Sequence, residues 1–164
     1  MLKIAVLFVM SVFATAFSAG VASAADFPIK LKDKDRLKAG WFMESDLTVS
    51  NTGKITGTTV SMSLNLNGFT GAAVVYLEDK AGNVLWATSK SVGVSGAVLG
   101  GTKTSAPATW DVEFPKGLVS KIEKVDVVHI HAPNNRLPGT IKEFVDGSKP
   151  VIEFITEIRK ATGK

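Results

Sequence analysis

Two histidines lie two residues apart in "VDVVHIHAPNNR", Val125 to Arg136, and the chain holds no others. On a β-strand, residues i and i+2 project from the same face about 6.5 Å apart. His129 and His131 therefore have the spacing of a metal-binding pair. A catalytic zinc takes at least three protein ligands. The chain has no cysteine, so a third ligand must be a carboxylate, and Asp111 and Glu113, also at i and i+2, are the candidates. A divalent metal held by His129 and His131 is one expectation. The other is structural. Val125 and Val127 share a face with the histidines, Val128 and Ile130 line the opposite face, and the segment runs into "APNNRLPG", a row of turn formers. A core strand becomes polar where it leaves the fold, and two ligands do not make a site. The pattern favours the structural role, and no cofactor is expected.

Other chemistries have little support. No serine stands in G-x-S-x-G. "GAVLGGTKT", Gly96 to Thr104, lacks the G-x-x-x-x-G-K-[ST] order of a phosphate loop. A hydrolytic carboxylate pair comes from distant segments and leaves no local signature. A metal- or carboxylate-dependent hydrolase using His129 and His131 therefore stands as the alternative to a non-enzymatic protein.

Candidate ligand-binding residues lie elsewhere. In "IKLKDKDRLK" every even position is basic: Lys30, Lys32, Lys34, Arg36 and Lys38. An extended chain puts these five cations on one face. Such a face suits a polyanion, and it equally suits an edge strand that lysine keeps from pairing with other chains. Trp41 is the tryptophan expected at the surface, because Trp110 is in register with Val112 and Phe114 and Trp86 lies in an apolar run. Asn134, Asn135 and Arg136 complete the set, in the loop beyond the histidines. In "TVSMSLNLN" the alternation predicts Val60, Met62, Leu64 and Leu66 toward the core. Thr59, Ser61, Ser63, Asn65 and Asn67 are then expected on a solvated face that could take carbohydrate or a partner strand.

These residues need a scaffold. Lys3, the apolar run "IAVLFVMSVFATAF" and the small residues ending in Ala22-Ser23-Ala24 have the three-part plan of a secretory leader. Residues 1–25 are expected to be cleaved, which makes the protein periplasmic or extracellular. No later segment is long and apolar enough to span a membrane. About 140 residues remain, enough for one domain with a real core. Without disulfides that domain must be held by packing. The net charge is +4, too mild to indicate nucleic acid.

The mature chain reads as short alternating strands with turn signals about every ten residues, which predicts a mostly β protein. The expected fold is an antiparallel β-sandwich, Ig-like or jelly-roll-like, with a short helix and a C-terminal amphipathic helix packed on it. "NTGK" and "KAGN" are hairpin turns, and "AAVVYLED", apolar on both faces, is a central strand. Residues 26–39 form an N-terminal arm or edge strand, 40–139 the sandwich, and 140–164 the helices. A capping box at Thr140-Ile141-Lys142-Glu143 and the stripe Val151, Ile152, Ile155, Ile158 mark those helices. Residues 91–107, rich in glycine and small residues, are either a weak strand or a mobile loop. The expected function is an exported non-enzymatic binding or adaptor module for envelope polysaccharide, an anionic surface or a protein partner. A structural subunit assembling through sheet edges is the remaining alternative.

Overall fold

The computed structural model describes residues 25–97, 103–131 and Ile155. Seven antiparallel strands make two sheets. The strands are β1 (Ile29–Lys38), β2 (Trp41–Val49), β3 (Lys54–Ser63), β4 (Phe69–Glu78), β5 (Val84–Val94), β6 (Thr104–Glu113) and β7 (Lys124–His131). A 3-10 segment, Lys116–Lys121, precedes β7. One sheet has the order β1-β2-β3-β6 and the other β5-β4-β7.

The architecture is a β-sandwich, but its order is neither of those expected. An immunoglobulin domain separates its strands as ABED and CFG, and a jelly roll needs eight strands. Here β1, β2 and β3 form a meander, β4 and β5 a hairpin in the facing sheet, and β6 and β7 return one to each. The turns carry the local reason. Gly53 and Gly82, both at positive φ, close the hairpins at "NTGK" and "KAGN", where a residue with a Cβ would be strained.

The core is the apolar inner faces of both sheets. Met43, Leu47 and Val49 of β2 meet Ala73, Val75 and Leu77 of β4, with Trp110 of β6 and Val125 and Val127 of β7. β4 is buried on both faces because it is the central strand of its sheet. Its outer face, with Tyr76, is covered together with Ala87 and Val128 by Ile155, a helical residue. The remaining residues of the expected C-terminal helices lie outside the described set.

The largest correction concerns β3. Thr59, Ser61 and Ser63, expected to face water, are fully buried. Leu64 is 53% exposed, while Met62 borders the same surface cleft but is itself buried. The register explains the inversion. β3 pairs Ile55 with Val49, Gly57 with Leu47, Thr59 with Ser45 and Ser61 with Met43. The large inward side chains of this part of the sheet come from β2, so its neighbour must be small there. Gly57 is the tightest point: a Cβ would lie 2.1 Å from the Asp46 carbonyl oxygen, and φ is +134°. Residues 91–107 are likewise neither all strand nor all loop. β5 runs to Val94 and β6 begins at Thr104.

Candidate functional site

The buried hydroxyls of β2 and β3 join a single hydrogen-bonded chain across both sheets. Trp110 Nε1 donates to Thr59 Oγ1 at 2.8 Å. Thr59 Oγ1 lies 2.6 Å from Ser45 Oγ, and Ser45 Oγ 2.8 Å from His129 Nε2. His129 Nδ1 lies 2.9 Å from Asp35 Oδ2. The chain passes from β6 through β3 and β2, crosses to β7, and returns to β1.

Elementary bonding rules give it a direction. An ionised carboxylate only accepts, so Nδ1 carries a proton toward Asp35. With the ring neutral, Nε2 accepts from the Ser45 hydroxyl, Ser45 accepts from the Thr59 hydroxyl, and Thr59 accepts from the indole. Trp110 can only donate, which leaves the Thr59 hydroxyl hydrogen available for Ser45; the sense of the chain is set from the Asp35 end. Every one of these groups is satisfied, which burial requires.

Serine, histidine and aspartate in this order are the connections of a hydrolytic triad. The setting is not that of a nucleophile. Ser45 is 0% exposed and His129 2%. Ser45 Oγ stands between Thr59 and His129, inside the sandwich. A triad serine must instead present its oxygen to a carbonyl carbon, next to donors for the oxyanion. Neither cleft described below has Ser45 or His129 in its wall.

His131 is on the same face of β7 but reaches the end of the sandwich and is exposed. Its ring is 5.1 Å from that of Trp41 and 6.5 Å from that of Phe69, which stack on each other at 5.0 Å. Asp111 and Glu113 lie on the exposed face of β6, where Asp111 pairs with Lys54 at 2.7 Å. They are not the carboxylates beside the histidines, because β6 is at the opposite edge of its sheet from β1. Among the described residues the group able to hold a cation is Asp33, Asp35 and His129, with ligand atoms within 4.8 Å of one another. Asp33 Oδ2 is 4.0 Å from Nδ1. Ligation through Nδ1 would move its proton to Nε2 and reverse the Ser45–Thr59 hydrogen bond. A metal and the Trp110-to-His129 chain therefore need opposite tautomers of one ring.

The five cations of β1 do share one exposed face, on an edge strand. Their field is partly cancelled across the register. Lys32 faces Asp46 at 3.7 Å and Lys34 faces Glu44 at 3.4 Å. Lys38 lies over the Trp41 ring at 5.2 Å. Trp41 is half-buried rather than free, and its indole nitrogen donates to the Asn67 carbonyl. Asn134, Asn135 and Arg136 lie outside the described residues. A 240 Å³ cleft beside β1 is lined by Lys34, Phe42, Met62, Leu64 and Lys103. A second, of 420 Å³, follows the seam between β1 and β7 past Asp33 and Asp126. Sequence reasoning missed Ser45 and Asp35, and it placed Thr59 on the solvated face. The one available signal was a serine interrupting the inward row Met43, Leu47, Val49.

No family model matches the chain, and no curated protein matches it. A solved structure described as a DUF1425 family member from Shewanella sp. pv-4 is 14% identical, with 63% of this chain and 99% of that one covered. Its TM-score is 0.31, too low to carry an argument. The fold and site define an antiparallel β-sandwich with a buried polar chain between its sheets.

Proposed function

We propose that the chain is an exported, non-enzymatic binding module, periplasmic or extracellular, whose sandwich is a rigid support for a contact surface. The observation that carries this is the burial of Ser45. The hydroxyl with triad connections is committed to Thr59 and His129 and has no path to a substrate. A hydrolase using a metal at His129 Nδ1 would have to reverse the donors of the same chain and leave the Thr59 hydroxyl hydrogen without its acceptor there. The leader-like residues 1–25 support export. The lysines along the β1 edge oppose assembly through that edge, which disfavours a structural subunit. Envelope polysaccharide, an anionic surface and a protein partner are the ligand classes that fit the exposed residues, and nucleic acid is not among them.

A fluorophosphonate probe, which captures activated serines, tests the proposal. The folded protein is expected to remain unlabelled and to show no esterase or peptidase activity. Labelling at Ser45 that disappears in Ser45→Ala and in His129→Gln would make the chain an enzyme.

A further inference from the structure

The loops of the sandwich differ between its two ends. At one end lie the β1–β2 turn at 39–40, the β3–β4 crossing at 64–68, and the ends of the β5–β6 connection at 95–97 and 103. Among these described residues there is no acidic side chain. Leu64 and Leu66 are 53% and 66% exposed there, on a crossing loop and not within a strand. The loops of the other end include Asp79 and Glu123.

Water-exposed leucines on a loop need a reason, and this loop is held in place. Asn65 Nδ2 donates to the Ala39 carbonyl at 2.6 Å, and the Leu64 amide to the Gly40 carbonyl at 2.8 Å. The Trp41 indole donates to Asn67. The leucines are thus presented on a braced tip. Arg36, Lys38 and Lys103 are exposed around it. The nearby carboxylates are occupied: Asp35 is bonded to His129 and Glu44 is paired with Lys34. The cleft lined by Phe42, Met62 and Leu64 continues the apolar surface onto the sheet.

We infer that this end of the sandwich docks onto an anionic lipid surface, with Leu64 and Leu66 entering the headgroup–acyl boundary and Arg36, Lys38 and Lys103 lying against lipid phosphates. The inference rests on the chain being a binding module and names its partner class. Exposed leucines on loops that lack acids, with cations exposed beside them, have the composition of a surface that seats at the membrane interface. An anionic leaflet attracts each such cation within a Debye length. A sugar polymer would need exposed ring faces, and the ring of Trp41 already lies against Phe69 and under Lys38. An acidic protein is the nearest competing partner, but the small cleft at this end takes in Leu64 and not Leu66, the more exposed of the two leucines.

Sedimentation of the full chain with vesicles tests this. One vesicle is phosphatidylcholine alone, and the other is equal parts phosphatidylcholine and phosphatidylglycerol. Residues 1–24 are common to all variants, and the comparison is made at lipid concentrations where the unaltered chain is only partly retained, so that this apolar run does not mask a loss at the loop. The protein is expected to bind the mixed vesicles more tightly and to lose the difference in high salt. Leu64→Asp/Leu66→Asp is expected to weaken binding at least about tenfold, by removing apolar surface from the acyl boundary. Lys38→Gln and Lys103→Gln are expected to weaken it about fivefold each. All four positions are exposed, so an unchanged melting curve confirms folding. Equal binding to both vesicles, or undiminished binding by the leucine variant, overturns the inference. Capture of an acidic protein through these residues, without vesicle binding, also overturns it yet leaves a binding module. Ser45-dependent hydrolysis instead removes the module reading itself.

Discussion

Ser45 Oγ and His129 Nε2 are 2.8 Å apart although 84 residues separate them in sequence. The bond joins β2 of the four-stranded sheet to β7 of the three-stranded one, through a core that is mostly apolar. A buried hydrogen bond of this kind adds direction where hydrophobic contact adds none. Ser45 must face His129 for either to be satisfied, so the bond fixes how one sheet is set over the other.

The hydrogen-bonded chain ends at the Trp110 indole on Thr59. Thr59→Val leaves the Trp110 indole N–H and the Ser45 oxygen without their partner. It is expected to cost about 1–3 kcal/mol in denaturant unfolding. Trp110→Phe removes the donor as well as some packing. The double variant should lose less than the sum of the singles, because removing both partners leaves no orphan. A strictly additive double would show that the indole and hydroxyl do not depend on each other.

Gly57 is expected to tolerate no side chain. Gly57→Ala places a Cβ against the Asp46 carbonyl in a backbone conformation that L residues rarely adopt. The expected loss is about 1–3 kcal/mol, read from circular-dichroism melts. A neutral substitution would mean that β2 and β3 can part at Leu47 without penalty.

Zinc should not stabilise the fold. A cation at Asp33, Asp35 and His129 would need the tautomer that the Ser45 chain opposes, so the unfolding midpoint is expected to stay fixed as zinc is added. A rise that disappears in Asp35→Asn would show a real metal site and contradict the bonding direction assigned here.

Acid stability should depend on one turn. The side-chain amide of Asn83, with its backbone N–H and that of Ala81, holds the Asp79 carboxyl below its ordinary value. A carboxyl depressed in the folded state adds stability at neutral pH. That stability is lost as the pH falls from the ordinary carboxyl value through the lower folded one. Asp79→Asn should therefore lower stability at neutral pH and flatten this acid limb. An unchanged acid limb would show that the turn contributes nothing to it.

Much of the fold was legible because its signals are local. The glycine turns, the double-sided apolar run of β4 and the inward set of Trp110 and Phe114 follow from residues a few positions apart. The face of β3 was not. Alternation reports which residues share a face, but not which face is inside, and here Met43 and Leu47 of the neighbouring strand decided it. The histidine strand was legible as a core strand ending in polar residues, which holds for His131, but His129 is still inside the core. The partners of His129 could not be read, since Ser45 and Asp35 come from β2 and β1 and nothing along the chain marks them. The basic row of β1 was visible, but the carboxylates that cancel part of it, Asp46 and Glu44, appear only in the register.

Ser45, His129 and Asp35 link the two sheets by hydrogen bonds, and on the proposed function that link is structural. A double-mutant cycle on Ser45→Ala and His129→Gln, measured by denaturant unfolding, tests it most directly. Each single change is expected to cost about 1–3 kcal/mol, with a coupling of about 0.5–3 kcal/mol between them. Two nearly neutral single variants with no coupling would contradict the claim and return Ser45 and His129 to the search for an active site.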